Sequence, residues 1–118
     1  MQFVVDDPHV PRLPPEETRI IHLRAGPYPD GKRVRVSLEL TPFQQHPNIE
    51  LTLNDPDGNE VSSASIVELV SRKLELTLHL RRPNPSGGIY TLAAHLTYPD
   101  LGEMDQREET VQIQPPAD

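Results

Sequence analysis

The sequence predicts an all-β protein, a seven-stranded antiparallel sandwich of two sheets joined by Greek-key connections. Three observations predict this fold: apolar and polar residues alternate in several segments, Pro and Gly punctuate those segments, and the chain has 118 residues. Strict alternation is typical of antiparallel strands that face a core on one side and water on the other. A chain of this length buries one hydrophobic core.

Two segments alternate most regularly. Every second residue from 34 to 40 is Val or Leu, and every second residue from 74 to 80 is Leu. Shorter alternating runs elsewhere, bounded by turn residues, complete the set of strands. The predicted strands are 17–25, 32–42, 47–54, 60–68, 73–82, 88–98 and 106–114.

The turn-forming sequence Pro-Asp-Gly occurs at 29–31 and again at 56–58. In each case Pro occupies the second turn position and Gly the fourth, which suits a type I turn followed by a left-handed residue. Both segments are therefore predicted to connect antiparallel strands.

Two segments leave alternatives open. Ile20 and Ile21 are adjacent, so they point to opposite faces of a strand, and a bulge or a switch between sheets would accommodate both. In 65–70 the Ser-x-x-Glu spacing fits a helix capping box. That window is short for a helix, and a strand is the prediction.

The sequence contains fourteen prolines, which cluster near both ends and at the junctions between segments. Four of them fall at positions 8, 11, 14 and 15, so residues 1–15 are predicted to form an extended arm, followed by the sandwich at 16–114 and a tail at 115–118. The arm contains the apolar run Phe3, Val4 and Val5, which could dock on the domain or on a neighbouring chain.

Composition limits the partners and the compartment. The net charge is −7, and no run of Lys or Arg interrupts it, which argues against nucleic-acid binding. There are no cysteines, no signal peptide is recognisable, and no apolar stretch approaches ~20 residues. We therefore expect a cytoplasmic protein without a membrane span, or an extracellular one if the sequence is a processed or excised fragment.

One local motif indicates a family. The stretch Gly88-Ile89-Tyr90-Thr91-Leu92-Ala93-Ala94 resembles the Gly-x-Tyr-x-Cys-x-Ala stretch of immunoglobulin-like domains. The resemblance implies that Tyr90 forms a tyrosine corner, with its ring in the core and its hydroxyl bonded to backbone, and that Leu92 replaces the second Cys. Since the Cys pair and the Trp are missing, the pattern over 17–114 is more similar to fibronectin type III and bacterial immunoglobulin-like modules.

Five histidines are candidates for metal ligands or catalytic groups: His9, His22, His46, His79 and His95. His79 and His95 lie on the polar phase of their strands, and an immunoglobulin-like arrangement would place these strands in different sheets. They could not then share a metal ion. The prediction is surface histidines, with no catalytic, cofactor or metal site built on them.

Acidic residues offer a calcium hypothesis at two places. Asp55 and Asp57 lack the remaining ligands of a calcium loop, and a hairpin turn is the prediction there. Asp100, Glu103 and Asp105 surround the last hairpin and are weak calcium candidates, with a solvated acidic loop as the alternative.

The functional prediction is a non-catalytic protein-interaction or structural module. No Gly-x-Ser-x-Gly elbow and no phosphate-binding loop occurs in the sequence, so an enzyme is not predicted and no cofactor is implied. A protein partner or self-association would use an edge strand, the loops or the arm. The alternatives are calcium-dependent binding and glycan binding by Tyr28 and Tyr98 in a chain without Trp.

Overall fold

The computed structural model describes residues 11–116, and this part of the chain confirms the predicted all-β fold. A 3-10 turn, Pro15–Glu17, precedes seven strands. The strands are β1 (Ile20–Pro27), β2 (Arg33–Leu40), β3 (Asn48–Asn54), β4 (Glu60–Ile66), β5 (Lys73–His79), β6 (Gly88–Tyr98) and β7 (Gly102–Ile113).

The strands form two antiparallel sheets. The three-stranded sheet has the order β1-β2-β5, and the four-stranded sheet has the order β4-β3-β6-β7. The connections β2 to β3, β4 to β5 and β5 to β6 pass from one sheet to the other, which gives the predicted Greek-key sandwich.

The core lies between the inner faces of the two sheets. The register pairs Val36 with Leu76 and Leu38 with Leu74, so the apolar phases of β2 and β5 share a face as their alternation predicts. Leu92 on β6 is fully buried opposite them. Burial of these alternating side chains is the main stabilising contribution to a sandwich of this size.

Tyr90 makes the contact that the family resemblance implies. Its ring is fully buried, and its hydroxyl accepts a hydrogen bond of 2.9 Å from the backbone N–H of Asn84. The bond ties the loop before β6 to the strand itself, which is the geometry of a tyrosine corner.

The structure decides between the alternatives for the segments at residues 20–21 and 65–70. The pairing of β1 with β2 shifts register between Ile20 and His22, so a bulge buries Ile20 and leaves Ile21 exposed. The strand prediction at 60–68 is confirmed up to Ile66. Glu68 then adopts φ 53°, and its N–H donates to Asn48 Oδ1 at 2.9 Å. No helix forms in this segment.

The described part of the predicted arm is attached to the sandwich. The N–H of Leu13 donates to the carbonyl of Pro42 at 3.1 Å, and the N–H of Gln44 donates to the carbonyl of Leu13 at 2.9 Å. Pro15 is buried. The apolar run Phe3-Val4-Val5 lies outside the described residues.

Candidate functional site

The structure separates the two most promising histidines, as predicted. His79 lies exposed on β5 and His95 lies on β6, so they belong to different sheets. Nδ1 of His95 contacts the carboxylate of Glu103 across the β6–β7 hairpin. His46 Nδ1 lies 3.0 Å from the carbonyl oxygen of Leu69.

Metal-binding geometry is not assembled in the described ranges. Within residues 11–116 no three His, Asp or Glu side chains come close enough together to hold an ion. His22 is exposed on β1, and His9 lies outside the described residues.

The weak calcium candidates have separate contacts. Oδ2 of Asp105 accepts from the backbone N–H of Ile20 at 2.8 Å, and its Oδ1 accepts from the N–H of Gln106 at 2.9 Å. Glu103 contacts His95, and Asp100 lies exposed in the turn. Asp105 therefore connects the two sheets, a role that its sequence context did not indicate.

The Asp55 segment is a hairpin turn, as predicted. Its Oδ1 accepts from the N–H groups of Asp57 and Asn59, each at 2.9 Å, and Gly58 has φ 86°. The carboxylate thus stabilises the turn by bonding to its own backbone.

Tyr28 and Tyr98, the tyrosines named for the glycan-binding alternative, lie at opposite ends of the sandwich. Tyr98 ends β6 and is buried, and its hydroxyl donates to the carbonyl of Gln45 at 2.9 Å. Burial raises the pKa of its hydroxyl. Tyr28 lies beside the β1–β2 turn and is half-buried. Packing at the end of β6 therefore leaves little of the Tyr98 side chain exposed, whereas part of Tyr28 is accessible.

The outer face of the three-stranded sheet holds a groove with a volume of about 560 Å³. We call it the sheet groove. The cross-strand register places Arg24 beside Ser37 and Ser37 beside Glu75. Its lining includes His22, Arg24, Tyr28, Arg35, Ser37 and Glu75.

One wall of the sheet groove is fixed by Tyr28. Its hydroxyl lies 3.3 Å from Thr77 Oγ1 on β5, so the side chain reaches across β2. The guanidinium of Arg33 stacks on the ring, 4.1 Å from its centroid, and bonds to Asp30 at 2.9 Å. These contacts restrain the orientation of the ring.

The charged groups of the sheet groove are partly paired. Arg35 donates to Glu75 at 2.6 Å, and this contact lowers the pKa of the Glu75 carboxyl. The carboxylate of Glu39 forms ion pairs with Arg72 at 3.1 Å and with Lys73 at 3.8 Å. Arg24 has no ion pair with any other residue in the described part of the chain.

Charge is divided unequally between the two sheets. The strands of the four-stranded sheet carry six carboxylates and one arginine, whereas the strands of the three-stranded sheet carry four cationic residues and two carboxylates. The cationic residues are Arg24, Arg33, Arg35 and Lys73. The net charge of −7 therefore conceals a locally basic face.

The two long sides of the sandwich also differ. On one side β1 and β7 lie together and the Ile20–Asp105 bond joins them. On the other side β4 and β5 make few contacts, and just after β5 the N–H of Arg81 donates to the carbonyl of Val61 on β4 at 3.0 Å. Leu74 and Leu76 are only partly buried there. We call this the open side.

Neither the sheet groove nor the open side is predicted by the sequence. The alternation in β2 and β5 identified the polar phase, but it did not show which strands are neighbours. Cross-strand neighbours depend on sheet order and register, which residue periodicity does not encode. Two adjacent arginines on one polar phase, Arg33 and Arg35, were the available signal.

No helix in the part of the chain that the structure describes is long and apolar enough to cross a membrane.

Comparison with known proteins gives a likeness of fold. The sequence matches no protein-family model and no curated protein. A β-glucuronidase from Ruminococcus gnavus in complex with D-glucuronic acid superposes with a TM-score of 0.56 at 19% identity, over 82% of this chain and 16% of that chain. A glycosyl hydrolase family 2 member from Bacteroides cellulosilyticus DSM 14838 gives a TM-score of 0.60 at 14% identity, over 81% and 15%. The chain thus spans about one sixth of the length of these solved structures, and it shares the fold of a β-sandwich part of them.

Proposed function

We propose that the chain is a non-catalytic, immunoglobulin-like interaction module that binds a protein partner along the open side. The observation that carries this proposal is the edge of β5. It is a regular strand whose inward side chains include the partly buried Leu74 and Leu76. Strand edges of this kind accept a further strand through backbone hydrogen bonds.

The other edge strands carry features that oppose such pairing. On β7, Arg107 and Glu109 pair with Ala94 and Leu92 and therefore lie on the inward phase. Inward charges discourage strand addition. β1 contains the bulge before His22, and the register of β4 shifts as well. In contrast, β5 pairs with β2 without a register shift.

The backbone of β5 offers free groups to a partner. Two hydrogen bonds just beyond the ends of β5 fix its pattern: Leu40 donates to the carbonyl of Arg72, and Leu80 donates to the carbonyl of Lys32. Because hydrogen-bonded pairs alternate along an antiparallel ladder, the even-numbered residues of β5 are the ones that bond to β2. In an antiparallel ladder the alternate residues then direct their N–H groups away from it. Glu75 and Thr77 are the central residues of this free edge.

Exposed apolar residues extend the open side. Val67 and Val70, in the segment between β4 and β5, are 72% and 69% exposed. Exposed apolar side chains next to an unpaired edge are typical of interaction surfaces. The likeness to glycosyl hydrolases supports an accessory role, because the matched sandwich is a small part of chains that contain much more.

The strand order supports the immunoglobulin-like assignment. A three-stranded sheet and a four-stranded sheet with a corner at Tyr90 are what the fibronectin type III resemblance implies. We infer that the chain is a structural or binding module of this general kind. Many unrelated functions occur on the fold, so the partner follows from the surface and not from the fold.

The test is to purify the native complex from source cells and to map its amide hydrogen exchange. Protection of Glu75 and Thr77 in the complex, relative to the isolated chain, is expected. Thr77→Pro should abolish the complex while the isolated domain still folds, because the N–H of Thr77 is not part of the β2 ladder. Glu108→Pro on the β7 edge strand is the matched control for an edge proline. Protection confined to other surfaces would contradict the proposal.

Glycan binding is a second candidate, favoured by the sheet groove. Its lining combines a held tyrosine ring with hydroxyl, carboxylate and guanidinium groups, as sugar sites do. The matched solved structures are carbohydrate-active enzymes. An oligosaccharide array probed with the wild type and with Tyr28→Ala tests it. Signals that require Tyr28 support the candidate, and the absence of any signal contradicts it.

A further inference from the structure

We propose that the sheet groove binds a carboxylate-bearing saccharide, with Arg24 as the residue that recognises the carboxylate. This inference rests on the second candidate function and names the class of sugar. It follows from three features of the groove: its size, its arrangement of donors and acceptors, and a single unpaired cation.

The size of the groove suits a small ligand. Its volume of about 560 Å³ lies within the range of roughly 300–1,000 Å³ that is common for ligand sites. Its floor is a sheet of regular register, and Tyr28 is held on one side by Thr77 and Arg33. A ligand therefore meets side chains that are already restrained, which reduces the entropy lost on binding.

The polar groups suit a sugar. Glu75 accepts from Arg35 at 2.6 Å and lies 3.5 Å from Ser37 Oγ, so its carboxylate is oriented by two neighbours. A carboxylate oxygen has further lone pairs, and these can accept from ligand hydroxyls. Ser37 and the Tyr28 hydroxyl can both donate and accept. Hydroxyl-rich ligands require such alternation of donors and acceptors.

The charge pattern distinguishes a single carboxylate from a polyanion. Arg35 is occupied by Glu75, and Lys73 shares Glu39 with Arg72. Arg24 has no ion pair in the described part of the chain, and the register places it next to Ser37 within the groove. A guanidinium binds a carboxylate through two parallel hydrogen bonds. A polyanion would in addition meet Glu75 and Glu39, which repel it.

The experiment is a calorimetric titration of the full chain with a galacturonate trisaccharide, its methyl ester and the matching galactose trisaccharide. The acid should bind more tightly than either neutral sugar. Arg24→Gln should weaken binding of the acid by roughly tenfold and leave the neutral sugars unaffected. Arg107→Gln, on β7 in the other sheet, is the matched control for a lost arginine and should bind like the wild type.

A second variant keeps every charge. Gly26 lies opposite Arg35 in the register, and a Cβ at position 26 would make only ordinary contacts, the closest with the Arg35 carbonyl at 3.9 Å. Gly26→Leu should therefore fill part of the groove and weaken binding of the acid, with the fold checked by circular dichroism.

The outcomes separate this inference from the candidate function beneath it. Equal binding of acid and neutral sugars through Tyr28 overturns the inference and leaves glycan binding standing. An acidic peptide of Glu residues that competes as well as the acid overturns the inference, because charge alone would then explain binding. Absence of binding by all three sugars overturns both the inference and the glycan candidate.

Discussion

The hydroxyl of Tyr90 accepts a hydrogen bond from the backbone N–H of Asn84, six residues earlier in the chain. This bond and the buried ring hold the connection between β5 and β6, the point where the chain crosses from one sheet to the other. Because the bond lies in a part-buried site, its loss leaves a backbone donor without a partner.

We expect Tyr90→Phe to lower the free energy of unfolding by about 1–2 kcal/mol. Urea unfolding followed by circular dichroism measures the difference. Tyr28→Phe is the control, because the Tyr28 hydroxyl makes a longer contact of 3.3 Å at the edge of the sheet groove. Equal losses in the two variants would show that the corner bond has no special role.

Asp105 is expected to stabilise the side of the sandwich where β1 and β7 lie together. Its Oδ2 accepts from the N–H of Ile20 at the β1 bulge, where the ladder with β2 is interrupted. Asp105→Ala should cost about 1–2 kcal/mol. Asp105→Asn keeps an acceptor oxygen at the same position and should cost less than half of that. Thermal unfolding of both variants measures the two losses of stability. A loss for Asp105→Asn greater than half of that for Asp105→Ala would show that the charge of Asp105, and not only its acceptor oxygen, is responsible.

The sequence predicts the sandwich well because its information is local. Alternation identifies each strand and the face that it buries, and Leu38 and Leu74 share the core as this periodicity requires. The Gly-x-Tyr motif likewise identifies Tyr90 before any coordinates are known. The number of strands and the position of the corner are therefore predictable.

The candidate sites depend on relations that periodicity does not contain. Arg24 and Glu75 are far apart in the sequence, and they face the same groove only because β1 and β5 flank β2. In the sequence Tyr98 stands directly before a predicted turn, yet in the structure its side chain is buried and its hydroxyl donates to the carbonyl of Gln45. Sheet order and loop packing determine both results.

Two glycines are expected to be intolerant of side chains because the chain after β7 passes over them. A Cβ at Gly31 would lie 2.5 Å from the carbonyl oxygen of Gln114, and one at Gly87 would collide with the carbonyl oxygen of Ile113. Gly58 has a similar positive φ, with open space around it.

Gly58→Ala should therefore cost about 1 kcal/mol, the price of left-handed backbone for an L-residue. Gly31→Ala and Gly87→Ala should each cost about 1–3 kcal/mol more, because backbone atoms must also move. Thermal denaturation of the three variants measures this order. A Gly58→Ala loss as large as the other two would mean that backbone conformation, and not the approach of the tail, limits these positions.

The Arg35–Glu75 pair predicts a pH dependence of stability in the acidic range. The side-chain hydrogen bond from Arg35 is the largest cause that lowers the pKa of Glu75 from its usual value of 4.5. A carboxyl group whose pKa is lower in the folded state stabilises the fold above its unfolded pKa, and this contribution is lost as the pH falls through the folded value. The stability of the wild type should therefore exceed that of Glu75→Gln near neutral pH, and the difference should shrink as the pH falls below 4.5. Because both side chains are exposed, salt should reduce the effect as well.

Chemical unfolding of the wild type and of Glu75→Gln at several pH values measures this difference in stability, with Glu108→Gln on β7 as the control for a lost exposed carboxylate. A difference between wild type and Glu75→Gln that stays constant from neutral pH to below 4.5 would show that the ion pair does not contribute to folding.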